Sequence, residues 1–139
     1  MIKAGVIGDP VDHSLSPVIH GHWLDKYGIA GSYEARHVTI DGLSAGVRQL
    51  AEEGFAGFNV TLPHKVAIMA HCATIDETAT GVGAANTITI DEQGALHASN
   101  SDVYGFLQHL RISWPGFGDC DGAALILGAG GAARAAIYA

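Results

Sequence analysis

The stretch Phe58-Asn59-Val60-Thr61-Leu62-Pro63-His64-Lys65 reads as a short strand that runs directly into a helix-start signal. Pro63 suits the first turn of a helix, where a missing N–H costs nothing, and the helix would continue through Val66-Ala67-Ile68-Met69-Ala70. A strand that feeds a helix with so little chain between them is the repeating unit of α/β folds. Such strands pair in parallel through right-handed crossovers.

The same unit recurs toward the N-terminus. Residues 3–7 form an apolar strand that ends at Gly8-Asp9-Pro10. Ser16 is expected to cap a helix with Pro17 at its first position, and Ile19, Trp23 and Tyr27, spaced by four, would form a buried stripe. Gly28 can end that helix in the left-handed conformation. Residues 32–40 read as a second strand, after which Asp41 is expected to cap a helix that places Leu43, Val47 and Leu50 on one face and stops at Gly54. Toward the C-terminus, residues 87–90 and 95–99 alternate around Asp91-Glu92-Gln93-Gly94, a hairpin signal. A helix over 103–110, a turn-rich linker over 114–119 and a buried-type strand over 123–127 follow. The fold class is therefore α/β: an open, mostly parallel sheet domain followed by the first β-α of a Rossmann-type doubly wound domain.

Composition limits the function classes. Of 139 residues, 48% are apolar and 15% charged, which describes a chain that buries a core. A net charge of −7 without a basic stripe argues against a nucleic-acid partner. No apolar run reaches the roughly 18 residues of a membrane span, and Asp9-Pro10 interrupts the N-terminal run too early for a signal peptide, so a cytoplasmic protein is expected. Cys72 and Cys120 read as two reduced thiols. The eight histidines show no metal-ligand spacing, so no metal is expected.

Several residues suggest chemistry. Gly128-Ala129-Gly130-Gly131-Ala132-Ala133 follows the 123–127 run and matches the dinucleotide fingerprint Gly-x-Gly-x-x-Ala. Gly128 would permit the tight turn, and Gly130 would let the backbone approach a pyrophosphate at the helix N-terminus. The residue that chooses between NAD and NADP would lie about 20 residues further on, beyond Ala139. Lys65 falls in the first turn of the expected helix, where the dipole and partial desolvation would both lower its pKa toward a useful range. A lysine that snorkels to water is the alternative. Asn59, Thr61, Asn86 and Asp102 all lie at the ends of expected strands, where ligands gather in open α/β sheets. Ser14 and Ser16 could cradle a carboxylate at a helix N-terminus, or Ser16 could simply cap its helix. Asp102 has the same alternative, as a cap for the helix beginning at Val103.

Five motifs in one order resemble the shikimate dehydrogenase family over essentially the whole chain. They are Gly8-Asp9-Pro10 through His13-Ser14-Leu15-Ser16-Pro17, Asn59-Val60-Thr61-Leu62-Pro63-His64-Lys65, Gly83-Ala84-Ala85-Asn86-Thr87, Asn100-Ser101-Asp102, and Gly128-Ala129-Gly130-Gly131-Ala132. The resemblance implies a substrate-binding domain over 1–101, a connecting helix and linker over 102–120, and the truncated start of an NADP-binding domain over 121–139. It implies that Ser14 and Ser16 hold the substrate carboxylate, that Lys65 and Asp102 form the acid–base pair, and that Asn59, Thr61, Asn86 and Asp102 bind the ring hydroxyls. Gly128, Ala129, Gly130, Gly131 and Ala132 would bind NADP, with Glu77 on the cofactor side of the cleft. The implied reaction is the reversible reduction of 3-dehydroshikimate to shikimate. A quinate dehydrogenase using NAD, or a substrate-binding fragment without turnover, are the alternatives. Ser101 stands where the family more often has Thr, and Val103 where Gly is common. The sequence leaves the oligomeric state open, a homodimer included.

Overall fold

The computed structural model describes residues 1–119 and 121–139. Cys120, read above as a reduced thiol, lies outside the described residues. Six strands form one mixed sheet: β1 (Ile2–Gly8), β2 (Gly31–His37), β3 (Gly57–Val60), β4 (Thr74–Ile75), β5 (Thr87–Ile90) and β6 (Leu96–Ser99), in the spatial order β2-β1-β3-β5-β6-β4. β1 pairs in parallel with both β2 and β3, and β4 pairs in parallel with β6. The expected hairpin forms antiparallel pairs, β5 with β6 and β5 with β3. The sheet is mostly parallel in its first half because crossover helices connect those strands, whereas a tight turn can join only antiparallel neighbours.

The helices are α1 (Ser16–Lys26), α2 (Leu43–Glu52), α3 (Glu77–Val82), α4 (Asp102–Ser113) and α5 (Gly131–Tyr138). Leu43, Val47 and Leu50 of α2 are buried with Ile7, Phe58 and Ile88 in the main core, as their spacing predicts. Along β3 the side chains alternate, so Phe58 and Val60 enter this core while Asn59 is left facing the other way. Neither α3 nor β4 was legible in the sequence. Asp76 starts α3 by accepting the Ala79 N–H at 2.6 Å, and Gly83 ends it in the left-handed region at φ 68°.

Some local expectations are corrected. Ile19, Trp23 and Tyr27 are not buried: α1 has no buried residue, and beneath it a cavity of about 380 Å³ opens between Trp23, Leu24 and the β1 and β3 surface. Ser16 is not the cap of α1. Leu15 takes that place, Ser16 is the first helical residue, and its N–H is received by Ser14 Oγ at 3.3 Å. Asp41 caps nothing either, since Gly42 precedes α2 and no side chain closes its end.

The segment after Pro63 is not an α-helix. It is a turn followed by a 3₁₀ helix at Ala67–His71, because the Lys65 carbonyl is drawn away to accept the Ala85 N–H at 2.8 Å instead of continuing a helical ladder. Finally, residues 123–127 form no strand. They carry strand-type residues, but no partner strand lies beside them, so Leu125 and Leu127 stand 85% and 88% exposed. The helix that follows does form. Ala135 of α5 packs with Val82 and Ala84, with Val103 of α4 against them, in a small second core. No helix is long and apolar enough to cross a membrane among the described residues.

Candidate active site

The sheet topology brings the functional side chains to one edge. β1 and β3 run the same way, and Asn59 near the end of β3 stands opposite Thr87 at the start of β5, which in turn stands opposite Ser99 at the end of β6. Backbone bonds continue this alignment past the strands. Val60 N–H donates to Asn86 O at 2.9 Å, and Asn86 N–H to Ser99 O at 3.1 Å. Asn59, Thr61, Lys65, Asn86 and Asp102 therefore gather at the same end of the sheet although up to 43 positions separate them in sequence (102 − 59 = 43).

At the centre of this edge, Lys65 Nζ lies 2.6 Å from Asp102 Oδ2. The other carboxylate oxygen accepts Asn86 Nδ2–H at 2.7 Å. The orientation of the Asn86 amide is fixed, because its Oδ1 accepts the backbone N–H of Ser101 at 3.0 Å and the Thr87 hydroxyl at 2.9 Å. Lys65 and Asp102 side chains are 15% and 28% exposed, so the pair is only partly shielded from solvent. Asp102 is the first residue of α4 and Ser101 its cap, with no side-chain capping bond. The carboxylate thus faces Lys65 and Asn86, and the alternative reading of Asp102 as an ordinary cap is set aside.

The helix-dipole argument expected for Lys65 does not hold. Lys65 does not sit at an α-helix N-terminus, and what faces its ammonium is a carboxylate. The turn that carries it is anchored by His64, which is buried and bonds the Val38 carbonyl through Nε2 at 2.7 Å. Thr61 follows β3 directly, where its N–H donates to Ile7 O at 2.9 Å, and its methyl packs against Gly8; a Cβ at Gly8 would stand 2.6 Å from that methyl.

Two residues had no expected role. Asn100 is buried, donates to Ala84 O at 2.7 Å and receives the Asp102 N–H at 2.9 Å, so it aims the start of α4. A polar residue two before a functional carboxylate was the available signal. Tyr33 donates its hydroxyl to Asn59 Oδ1 at 2.7 Å. It is one residue of an edge strand, and nothing local marks it.

The glycine turn lies against the same centre. Gly128 is in the positive region at φ 134°, Gly130 caps α5 in an extended conformation, and the N-terminus of α5 is open to solvent at Ala129, Gly130 and Ala132. Gly131 is buried against the stem of Lys65, whose Cδ would lie 2.8 Å from a Cβ there. Glu77 begins α3 and is exposed, and α3 packs beside α5. The turn has the open N–H groups that a pyrophosphate needs. Among the described residues no group of three His, Cys, Asp or Glu side chains could hold a metal.

A mixed sheet thus ends in a lysine–carboxylate–amide cluster with a glycine turn pressed against the lysine. The model for the shikimate dehydrogenase substrate binding domain matches residues 6–88, and the chain belongs to that family. It is 50% identical over 137 residues to the NADP(+) shikimate dehydrogenase of Brucella canis, covering 99% of this chain and 47% of that one. Among solved structures it is similar to shikimate 5-dehydrogenase from Thermus thermophilus in complex with NADP(H) and shikimate. That similarity has a TM-score of 0.86 at 38% identity and covers 99% of this chain and 51% of the other. It is also similar to 5-ketofructose reductase of Gluconobacter sp. strain CHM43, with a TM-score of 0.84 at 33% identity over 99% of this chain and 48% of that one. The chain spans about half the length of the relatives it matches.

Proposed function

We propose that the whole protein interconverts 3-dehydroshikimate and shikimate, with NADP as its nucleotide. The observation that carries this reading is the Lys65–Asp102–Asn86 cluster, with Lys65 Nζ held 2.6 Å from the carboxylate in a chain of this family. Lys65 gives a proton to the substrate's carbonyl oxygen in reduction and takes it back from the hydroxyl in oxidation. Asp102 holds the ammonium in place and compensates its charge. Asn86, Asn59 and Thr61 bind ring hydroxyls, and Ser14 and Ser16 hold the carboxylate beside the start of α1. The N–H groups of the 128–132 turn hold the pyrophosphate, and Glu77 borders the cofactor side. NADP, when bound, supplies or accepts the hydride.

The domain boundaries at 101 and 120 and a cytoplasmic location belong to the same reading. The likeness to a 5-ketofructose reductase makes substrate choice the point to test. With the full-length protein, NADP-dependent oxidation of shikimate should exceed that of quinate with either nucleotide, and 5-ketofructose should not be reduced. Faster turnover of quinate with NAD, or of 5-ketofructose, would replace the reading.

A further inference from the structure

Asn59 has no freedom left in its amide group. Its Nδ2 donates to Asn86 O and to Thr87 Oγ1, both at 3.2 Å. A backbone carbonyl can only accept, so this contact fixes which end of the amide is nitrogen. Both amide hydrogens are thereby committed to the protein, and Asn59 can offer a ligand only a lone pair on Oδ1. That oxygen already accepts the Tyr33 hydroxyl at 2.7 Å. Tyr33 is half-buried on β2, and its ring lies flat against His20 of α1, with centroids 4.0 Å apart and planes inclined by 2°. His20 is one helical turn after Ser16, the first residue of α1. Burial pushes the phenol up to about 12, so near neutral pH the group is a protonated donor.

We propose that Tyr33 is a positioning residue of the substrate site: its hydroxyl holds the Asn59 amide, at the ring-hydroxyl end, while its ring stacks on His20 of α1, the helix that Ser16 begins at the carboxylate end, and this sets where Asn59 stands relative to that end. The ligand class it selects is a ring acid that bears a carboxylate and a hydroxyl at a set separation. This inference rests on the proposed substrate reading. It follows from three elements meeting at one side chain: α1 brings the stacked His20, β2 brings Tyr33, and β3 brings Asn59. Among the described residues no other phenol hydroxyl forms a hydrogen bond to this cluster. The seven-residue parallel register of β1 with β2, continued from β1 to β3, holds the phenol over Asn59.

The test uses the full-length protein and the variant Tyr33→Phe, which keeps the ring and its stack on His20. In the unliganded protein, the side-chain amide resonances of Asn59 should move and lose protection from solvent exchange. With shikimate as substrate, KM should rise about five- to ten-fold, the loss of one directed hydrogen bond, while kcat stays within about two-fold. In an Asn59→Ala background the same substitution should leave KM unchanged, because the group being positioned is gone. Asn59 amide signals that do not respond to Tyr33→Phe would overturn the proposal, as would an equal KM effect in the Asn59→Ala background. If the parent protein neither binds nor oxidises shikimate, the substrate reading fails, while the Asn59 resonances still decide whether Tyr33 positions that amide.

Discussion

Asp102→Asn keeps the size and planarity of the side chain and removes its charge. Asp102 accepts on both sides: Oδ2 from the Lys65 ammonium at 2.6 Å and Oδ1 from Asn86 Nδ2 at 2.7 Å. An ammonium is donor only, and the Asn86 amide cannot turn over because its Oδ1 already serves Ser101 N–H and Thr87. Whichever way a new amide lies at 102, its NH₂ therefore meets another donor. At least one charge-assisted bond is lost, about 1.5–3 kcal/mol for a hydrogen bond to a charged group, and Lys65 loses its counter-charge. If that stabilisation is needed at the transition state, it corresponds to a kcat lower by about 10- to 150-fold. The global fold should change little, since Asp102 caps nothing and sits at the start of α4. The assay is initial-rate oxidation of shikimate, read by NADPH absorbance, with thermal unfolding as the control. A variant that retains near-parental kcat with an unchanged melting temperature would refute the argument that this carboxylate works through Lys65.

Lys65→Ala should lower kcat by about 10² or more while shikimate affinity, measured by titration, changes much less; near-normal kcat would remove the proton-transfer role. Ser14→Ala, rather than Ser16→Ala, should carry a stability cost of about 1 kcal/mol, because Ser14 Oγ receives the first helical N–H, that of Ser16; denaturant midpoints of the two variants decide it. The bond from His97, together with backbone donors at Ala95 and Gln93, holds the Asp91 carboxyl below its ordinary 3.8. Its contribution to stability is therefore complete above that value and is lost as pH falls through and below it, so acid melts of Asp91→Asn should show a shallower fall than the parent between pH of about 5 and 2. A polypeptide limited to residues 1–139 should bind shikimate weakly and turn nothing over, since residues 123–127 lack partner strands; steady turnover by it would place the nucleotide site elsewhere.

The sequence by itself determined the class of fold, the hairpin and the buried face of α2, because each rests on a local period that the core then satisfies: two residues for β5 and β6, three to four for Leu43, Val47 and Leu50. It also singled out Lys65, Asn86 and Asp102, through motifs that the family resemblance tied together, and the structure joins them by hydrogen bonds. Where packing outranked local preference, sequence reasoning went astray. The Lys65 carbonyl pairs with Ala85 and ends a helix that Pro63 signalled. The apolar stripe of α1 stays open, because period shows that a face is apolar without showing what covers it. Residues 123–127 stay unpaired, because strand residues become a strand only beside another one. The bonds that tie the cluster together were settled by tertiary structure alone. Tyr33 to Asn59, Asn86 to Asp102 and Lys65 to Asp102 span 26, 16 and 37 positions, distances over which no sequence period reaches and only the register of the sheet brings the partners together.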